Sequence, residues 1–197
     1  MNVFRLSSKS HWDVPIKAGD KTIHIVASHP TPPVFDGEED KNGCRNHDEI
    51  RMIADYVSGK GDYLYDDAGK KGAFEGQHFV IVGDLNSDPV DGNSRPDTMD
   101  LLMKSSLVNS SVAPKSTGGK HWSQEQGKMN LKHKGDPLCD TGDFNDARVG
   151  NMRIDYALPS KSLKVVNSGV FWPKPGEKGA QEVQASDHRL VWIDVAK

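Results

Sequence analysis

Five polar side chains of this sequence lie beside or inside short apolar runs, in a pattern that indicates chemistry at a phosphate group. They are Asp84, Asn86, Asp155, Asp187 and His188. Asp84 and Asn86 follow an apolar run at 78–82, and side chains two residues apart in an extended or turning chain can point into one space. Carboxylate and amide oxygens placed in this way suit a hard divalent cation with a phosphate beside it.

A pair between Asp155 and His188 is expected from the cost of burying a charge. Asp155 lies in the stretch 153–158, which is otherwise typical of a strand, and a buried carboxylate is unfavourable without a partner. A histidine is a suitable partner, because a hydrogen bond to Asp fixes its tautomer. Singly, each residue also has a structural interpretation, such as an Asx turn at Asp84. Their joint occurrence at strand ends favours a shared site.

Apolar runs bounded by turn residues predict the elements that position these side chains. Strands are predicted at 22–28, 78–82, 153–158, 163–172 (with Gly169 as a possible bulge) and 189–195. Helices are predicted at 46–58, with Asn46 as the cap, and at 97–106, with Asp97 as the cap. The polar stretch 108–151 is a long loop, and such loops are uncommon unless functional or disordered. Because strands outnumber helices, we expect an α/β fold with a mixed or mostly antiparallel sheet.

Composition limits the classes of protein to which the chain can belong. Its 197 residues suit one domain, and its net charge of -3 argues against tight non-specific binding of duplex DNA. No apolar stretch is long enough to span a membrane, and residues 1–6 lack the apolar segment of a signal peptide. Cys44 and Cys139 could form one disulfide or remain two free thiols.

Three motifs in a fixed order resemble the C-terminal signatures of the endonuclease/exonuclease/phosphatase superfamily. They are Gly-Asp-Leu-Asn at 83–86, Arg-Ile-Asp-Tyr at 153–156 and Ser-Asp-His at 186–188. That superfamily includes deoxyribonuclease I, abasic-site endonucleases, inositol-polyphosphate phosphatases and neutral sphingomyelinases. The resemblance spans roughly residues 22–197. The stretches 29–37, 45–49 and 140–146 resemble a bacterial, often exported subgroup of unassigned substrate, which leaves the localisation of this chain open.

The resemblance implies a role for each matched residue. Asp84 would orient the attacking water and, with Asp187, would ligate Mg²⁺ or Mn²⁺. Asn86 would contact the phosphate. His188 would act as a general base or stabilise the phosphoryl charge, oriented by Asp155. Phosphate ester cleavage needs such groups, because charge on the phosphoryl oxygens must be neutralised and water must be placed in line.

The amino-terminal part of the sequence supplies one further candidate and departs from the superfamily pattern. His29 follows the first predicted strand, where the deoxyribonuclease I branch carries a histidine that is a candidate general acid. The asparagine and the metal-ligating glutamate of the superfamily's N-terminal half are not found. The resemblance therefore implies a truncated single domain over 1–197, half of a four-layer α/β/β/α sandwich with helices on one face. A replacement ligand could come from the acidic loop 36–40 or from a partner subunit.

A half-sandwich would expose the apolar face of its sheet, which soluble monomers rarely tolerate. We therefore expect a homodimer whose two copies pack sheet to sheet. The expected activity is divalent-metal-dependent hydrolysis of a small phosphorylated substrate or a flexible nucleic acid, away from membranes. A catalytically inactive remnant and a metal-dependent carboxylic-ester hydrolase remain alternatives. The lack of a Gly-x-Ser-x-Gly elbow argues against a serine esterase.

Overall fold

A computed structural model describes residues 5–196. The prediction that the chain carries no signal peptide concerned residues 1–6, most of which lie outside the described residues. The strands are β1 (His11–Ala18), β2 (Lys21–Ser28), β3 (His78–Asp84), β4 (Gly142–Asp143), β5 (Asn151–Met152), β6 (Asp155–Pro159), β7 (Val165–Phe171) and β8 (Leu190–Val195). The α-helices are α1 (Lys41–Val57), α2 (Asp100–Met103) and α3 (Thr117–Gln126). Short 3-10 helices lie at Lys128–Leu131, Pro137–Cys139 and Glu182–Ala185.

Four strands form one mixed sheet in the order β1-β2-β3-β6. The pairs β1/β2 and β3/β6 are antiparallel, and β2/β3 is parallel. The predicted α/β class with a mixed, mostly antiparallel sheet is therefore confirmed. Strand β1 was not predicted. It is an edge strand with Pro15 in its middle, a position that tolerates a residue unable to donate to the ladder.

The two faces of this sheet are covered differently. On one face, Ile50, Ile53 and Val57 of α1 pack in a buried cluster with strand residues such as Ile81. On the other face, alternate residues of β8 pack on Val80 and the neighbouring strands. The predicted strands near the C-terminus exist, but they pair with each other in a separate two-stranded sheet, β7-β8. The chain thus contributes part of a second β layer, and the face that we expected to be bare is partly covered.

Helix α1 begins five residues earlier than the sequence indicated. The carboxylate of Asp36 caps its amino end by accepting from the backbone N–H groups of Asn42 (2.6 Å) and Gly43 (3.3 Å). Asn46 is fully buried inside the helix and is not its cap. The second predicted helix is instead shorter than the predicted 97–106, since Asp97 has a left-handed φ of 62° and precedes α2.

The stretch 108–151 is more ordered than its polarity suggested. It contains α3, whose amino end is capped by the hydroxyl of Ser116, which accepts from Gly118 N at 3.0 Å. The bulge in β7 lies between Val165 and Asn167, and not at Gly169. Gly169 instead leaves room for the Trp192 ring.

Neither membrane spanning nor a disulfide is found in this part of the chain. Among residues 5–196, no helix combines the length and the apolarity needed to cross a bilayer. Cys44 is exposed, Cys139 is buried, and both are free thiols. Of the two alternatives that the sequence left open, the structure therefore has the two free thiols and not the disulfide.

Candidate active site

The pairing of β3 with β6 brings Asp84 and Asp155 together. The two residues are direct cross-strand partners at the end of the antiparallel ladder, so their side chains lie on the same face of the sheet. That face also carries Val80 and Ala157, on which β8 packs. His188 lies two residues before β8. The packing of β8 on the sheet therefore places the His188 imidazole beside the two carboxylates.

Thr141 fixes the backbone on both sides of the site. Its hydroxyl oxygen accepts from Asp155 N at 2.9 Å, and its carbonyl oxygen accepts from Arg189 N at 2.7 Å. His188 is further held by its own backbone N–H, which donates to Ser186 Oγ at 3.0 Å. Thr141 is almost fully buried. The stretch 140–146, which the sequence associated only with a bacterial subgroup, therefore orients Asp155 and His188 together.

The predicted pair between His188 and Asp155 is present. His188 Nδ1 lies 3.1 and 3.0 Å from the two carboxylate oxygens of Asp155. Its other nitrogen, Nε2, lies 4.0 Å from Asp84 Oδ2 and 4.0 Å from Asp187 Oδ1. The Phe144 ring packs on the imidazole in a T-shaped arrangement, with 5.9 Å between ring centroids. Nδ1 is thus occupied, and Nε2 faces a space bordered by two further carboxylates.

The surroundings shift the pKa of both partners. Burial raises the pKa of Asp155, and the hydrogen bond and charge of His188 offset only part of this effect. Burial lowers the pKa of His188, but the hydrogen bond and charge of Asp155, with the charges of Asp84 and Asp187, outweigh it and leave the pKa raised. An imidazole among three carboxylates holds a proton more tightly than one in water.

The donor atoms around His188 fit a divalent cation. One ligand atom each from Asp84, Asp155 and His188 lie within 4.8 Å of one another in the described chain. Asp187 is predicted as a ligand with Asp84, and its side chain is 63% exposed, which leaves its oxygens accessible. Carboxylate oxygens are the ligands that Mg²⁺ and Mn²⁺ favour. The chain therefore carries an acidic and histidine group able to hold a metal, while the identity of the ion stays a prediction.

Asn86 and His29 also lie at this site. Asn86 N donates to Asp84 Oδ1 at 2.8 Å with a left-handed φ of 52°, which is the Asx turn of the structural interpretation. Its Nδ2 donates to Pro30 O at 3.0 Å, so it ties its turn to the loop after β2. His29 Nε2 lies 3.4 Å from Asp84 Oδ2. All six residues singled out from the sequence are thus brought to one end of the sheet.

Two buried polar residues of α1 support the site and were not recognised from the sequence. Asn46 Nδ2 donates to Thr31 O at 2.8 Å and to Leu85 O at 3.0 Å, which joins the loops that follow β2 and β3. Glu49, one turn along the helix, is fully buried and accepts from Thr31 N at 2.6 Å. Their helical spacing with Ile50 and Ile53 could have indicated that both residues lie on the buried face of the helix. Polar residues on such a face must be hydrogen-bonded, which would have predicted a role in joining other segments.

Carboxylates of the loop 36–40 make other contacts in the described residues, whereas an unpredicted lysine reaches the site. Asp36 caps α1, and Asp40 pairs with Arg95 at 2.8 Å. Neither belongs to the group of possible metal ligands found among the described residues. Lys9, which precedes β1, places its Nζ 2.8 Å from His29 Nε2.

Comparisons with known proteins found a matching family profile and similar solved structures. The sequence profile of the Endonuclease/Exonuclease/phosphatase family matches residues 17–188. No curated protein matches the chain. A β-hairpin deletion mutant of beta toxin from Staphylococcus aureus is similar in structure, with a TM-score of 0.46 and 18% identity over 83% of this chain and 49% of that one. The crystal structure of beta toxin 275-280 from Staphylococcus aureus has a TM-score of 0.45 and 17% identity over 95% and 54%. The chain spans about half the length of these structures.

Proposed function

This chain belongs to the endonuclease/exonuclease/phosphatase family, and on that premise we propose that it hydrolyses phosphate esters with the help of Mg²⁺ or Mn²⁺. The observation that carries the proposal is the contact of His188 Nδ1 with Asp155 at 3.0 Å, with Nε2 facing Asp84 and Asp187. The net charge of -3 favours a small phosphorylated molecule or a flexible nucleic acid as substrate over duplex DNA.

In the proposed reaction, His188 and Asp155 move the proton. Asp155 accepts the Nδ1–H of His188, which leaves the Nε2 lone pair free to take a proton from the attacking water. A general base in this position contributes about 10²–10⁴-fold to the rate. Asp84 and Asp187 would hold the metal ion, which when bound neutralises phosphoryl charge and activates water.

Asn86 and His29 have narrower proposed roles. Asn86 would contact the phosphate with the part of its amide that is not used in the bond to Pro30. His29 is the proposed general acid, which requires a proton on its Nε2. Because a lysine ammonium only donates hydrogen bonds, the contact between Lys9 Nζ and His29 Nε2 makes that nitrogen an acceptor. The general-acid role therefore requires Lys9 to release His29 first.

Metal removal tests the proposal. We expect the purified chain to release p-nitrophenol from bis-p-nitrophenyl phosphate or p-nitrophenyl phosphate in Mg²⁺ or Mn²⁺. We expect EDTA to abolish this release and excess metal to restore it, since the carboxylates of the site repel the phosphoryl group unless a cation lies between them. No turnover with either ion would indicate an inactive remnant. Metal-dependent cleavage of p-nitrophenyl acetate without phosphate release would indicate a carboxylic-ester hydrolase.

We also propose that a second copy of the chain covers the rest of the sheet face on which β7-β8 packs. Trp12, Val14 and Ile16 alternate along β1, so they share one face, and the three residues are 64%, 43% and 48% exposed. Two of them pair with Ile23 and Ile25, which pack beneath the second β layer. The exposed apolar stripe therefore continues a buried surface.

The dimer is tested by light scattering after size exclusion. We expect a mass near twice 21.6 kDa, and we expect Val14→Lys to yield a folded monomer because it places a charge in the proposed interface. Leu131→Lys is the matched control, since Leu131 is also exposed but lies on a 3-10 helix outside the stripe. A wild-type chain that elutes as a monomer at micromolar concentration would contradict the proposal.

A further inference from the structure

The segment before β1 brings a positively charged lysine beside the carboxylates, histidines and amide of the site. Lys9 Nζ lies 2.8 Å from His29 Nε2, and that nitrogen lies 3.4 Å from Asp84 Oδ2. The ammonium can only donate, so His29 accepts through its lone pair. Lys9, His29 and Asp84 thus form a continuous series of contacts that leads to the space faced by His188.

A buried carboxylate holds the backbone on both sides of the Lys9–His29 contact. Glu49 is fully buried, and its Oε1 accepts from Ser8 N at 2.6 Å and from Ser8 Oγ at 2.9 Å. Its Oε2 accepts from Thr31 N at 2.6 Å. Ser8 adjoins Lys9, and Thr31 lies two residues after His29, so one side chain fixes both segments. A buried carboxylate is unfavourable without such bonds, and charge-assisted bonds of this kind are the stronger ones.

The charges around the site give the lysine a physical role. Asp84, Asp155 and Asp187 surround the imidazole of His188, and a phosphate ligand adds further negative charge. One divalent ion cannot offset all of it, so a nearby cation lowers the cost of bringing the phosphate in. The side chain of Lys9 is exposed and can reach a ligand, and lysine is a common phosphate-binding residue.

We propose that Lys9 binds the phosphoryl group of the substrate and that Glu49 is the residue that positions it. The inference rests on the proposed function, in that the ligand is the anionic phosphoryl group of the ester. The binding site then combines strand-end residues with a cation from the segment before β1. Glu49 acts through the backbone of Ser8 and does not touch the ligand.

Binding of inorganic phosphate in the presence of Mg²⁺, measured by isothermal titration calorimetry, tests the role of Lys9. We expect Lys9→Met to raise the Kd about tenfold, because it removes one charged hydrogen bond, and Lys9→Arg to restore most of the affinity. Lys17→Met is the matched control, since it removes the same charge from an exposed residue at the far end of β1. We expect its Kd to stay at the wild-type value.

The outcomes separate this inference from the proposed function. If Lys9→Met binds phosphate as tightly as the wild type, or if the wild type does not bind phosphate, Lys9 is not a phosphate-binding residue. If the wild type binds phosphate and Lys9→Met does not, the inference stands even where no ester is hydrolysed, and only the proposed function fails. If Lys17→Met raises the Kd for phosphate as much as Lys9→Met does, the loss of affinity is due to the lower net charge of the protein. That result would overturn the inference.

The positioning role of Glu49 has its own readout. We expect Glu49→Gln to raise the Kd for phosphate several-fold and to shift the ¹⁵N resonance of His29 Nε2 in the same direction as Lys9→Met does. Asp48→Asn is the control on the same helix, because Asp48 is partly exposed and bonds to Arg51. Circular dichroism confirms that each variant is folded. A folded Glu49→Gln protein with wild-type affinity and an unmoved His29 resonance would contradict positioning by Glu49.

Discussion

Replacing His188 by alanine is expected to lower kcat for bis-p-nitrophenyl phosphate by about 10²–10⁴-fold, the usual contribution of a positioned general base. The imidazole is held by two contacts between Nδ1 and Asp155 at 3.1 and 3.0 Å. Its side chain is 35% exposed, so truncation removes little buried surface and the fold should persist. Steady-state rates at saturating Mg²⁺ or Mn²⁺ measure the loss, with thermal unfolding as the check on folding.

The control for this substitution is His78→Ala. His78 lies at the opposite end of β3 and bonds to Ser162 Oγ at 2.8 Å, so it has the same chemistry at a distance from the site. We expect its kcat to match the wild type. A His188→Ala enzyme with nearly wild-type kcat would rule out the proton-transfer role. Recovery of the lost rate at raised metal concentration would instead assign His188 as a metal ligand, which its place beside Asp84 and Asp155 permits.

The part of the site that the sequence predicts is the part encoded in local patterns. The apolar run that became β3 ends at Asp84, and the alternation of Val191, Ile193 and Val195 marks the buried side of β8. Such periodicity is set by residues near in sequence, so strand positions and the residues at strand ends follow from it. The pairing of Asp155 with His188 was also predictable, because a carboxylate in a strand needs a partner.

The remaining features depend on contacts between residues far apart in the sequence. Glu49 is bonded to Ser8 and Thr31, which are 41 and 18 residues away, and nothing in its neighbourhood specifies those partners. Helix α3 carries Gly118 and Gly119 in its first turn, and glycine has low helix propensity. Gly118 is nevertheless required there, because a side chain at that position would overlap the carbonyl oxygen of Trp172. Tertiary packing therefore overrode the local helix preference at the start of α3.

Gly83→Ala is expected to reduce the free energy of unfolding by about 3–5 kcal/mol and to abolish hydrolysis. Gly83 has a φ of 134°, which side-chain-bearing residues rarely adopt, and an added Cβ would overlap the carbonyl oxygen of Ser28 on the neighbouring strand β2. Ser28 and Gly83 directly precede His29 and Asp84. Forcing β2 away from β3 therefore moves His29 away from Asp84. Urea unfolding followed by circular dichroism measures the loss of stability.

Gly72→Ala isolates the clash from the backbone strain. Gly72 has the same φ of 134°, but an added Cβ there would meet no atom within 4 Å. We expect this variant to lose only about 1–2 kcal/mol from conformational strain and to keep its activity. The difference between the two losses in unfolding free energy then measures the cost of moving β2 away from β3 at the site. Equal losses would show that strain alone explains Gly83→Ala, and that the glycine preceding Asp84 is not needed for the close approach of the two strands.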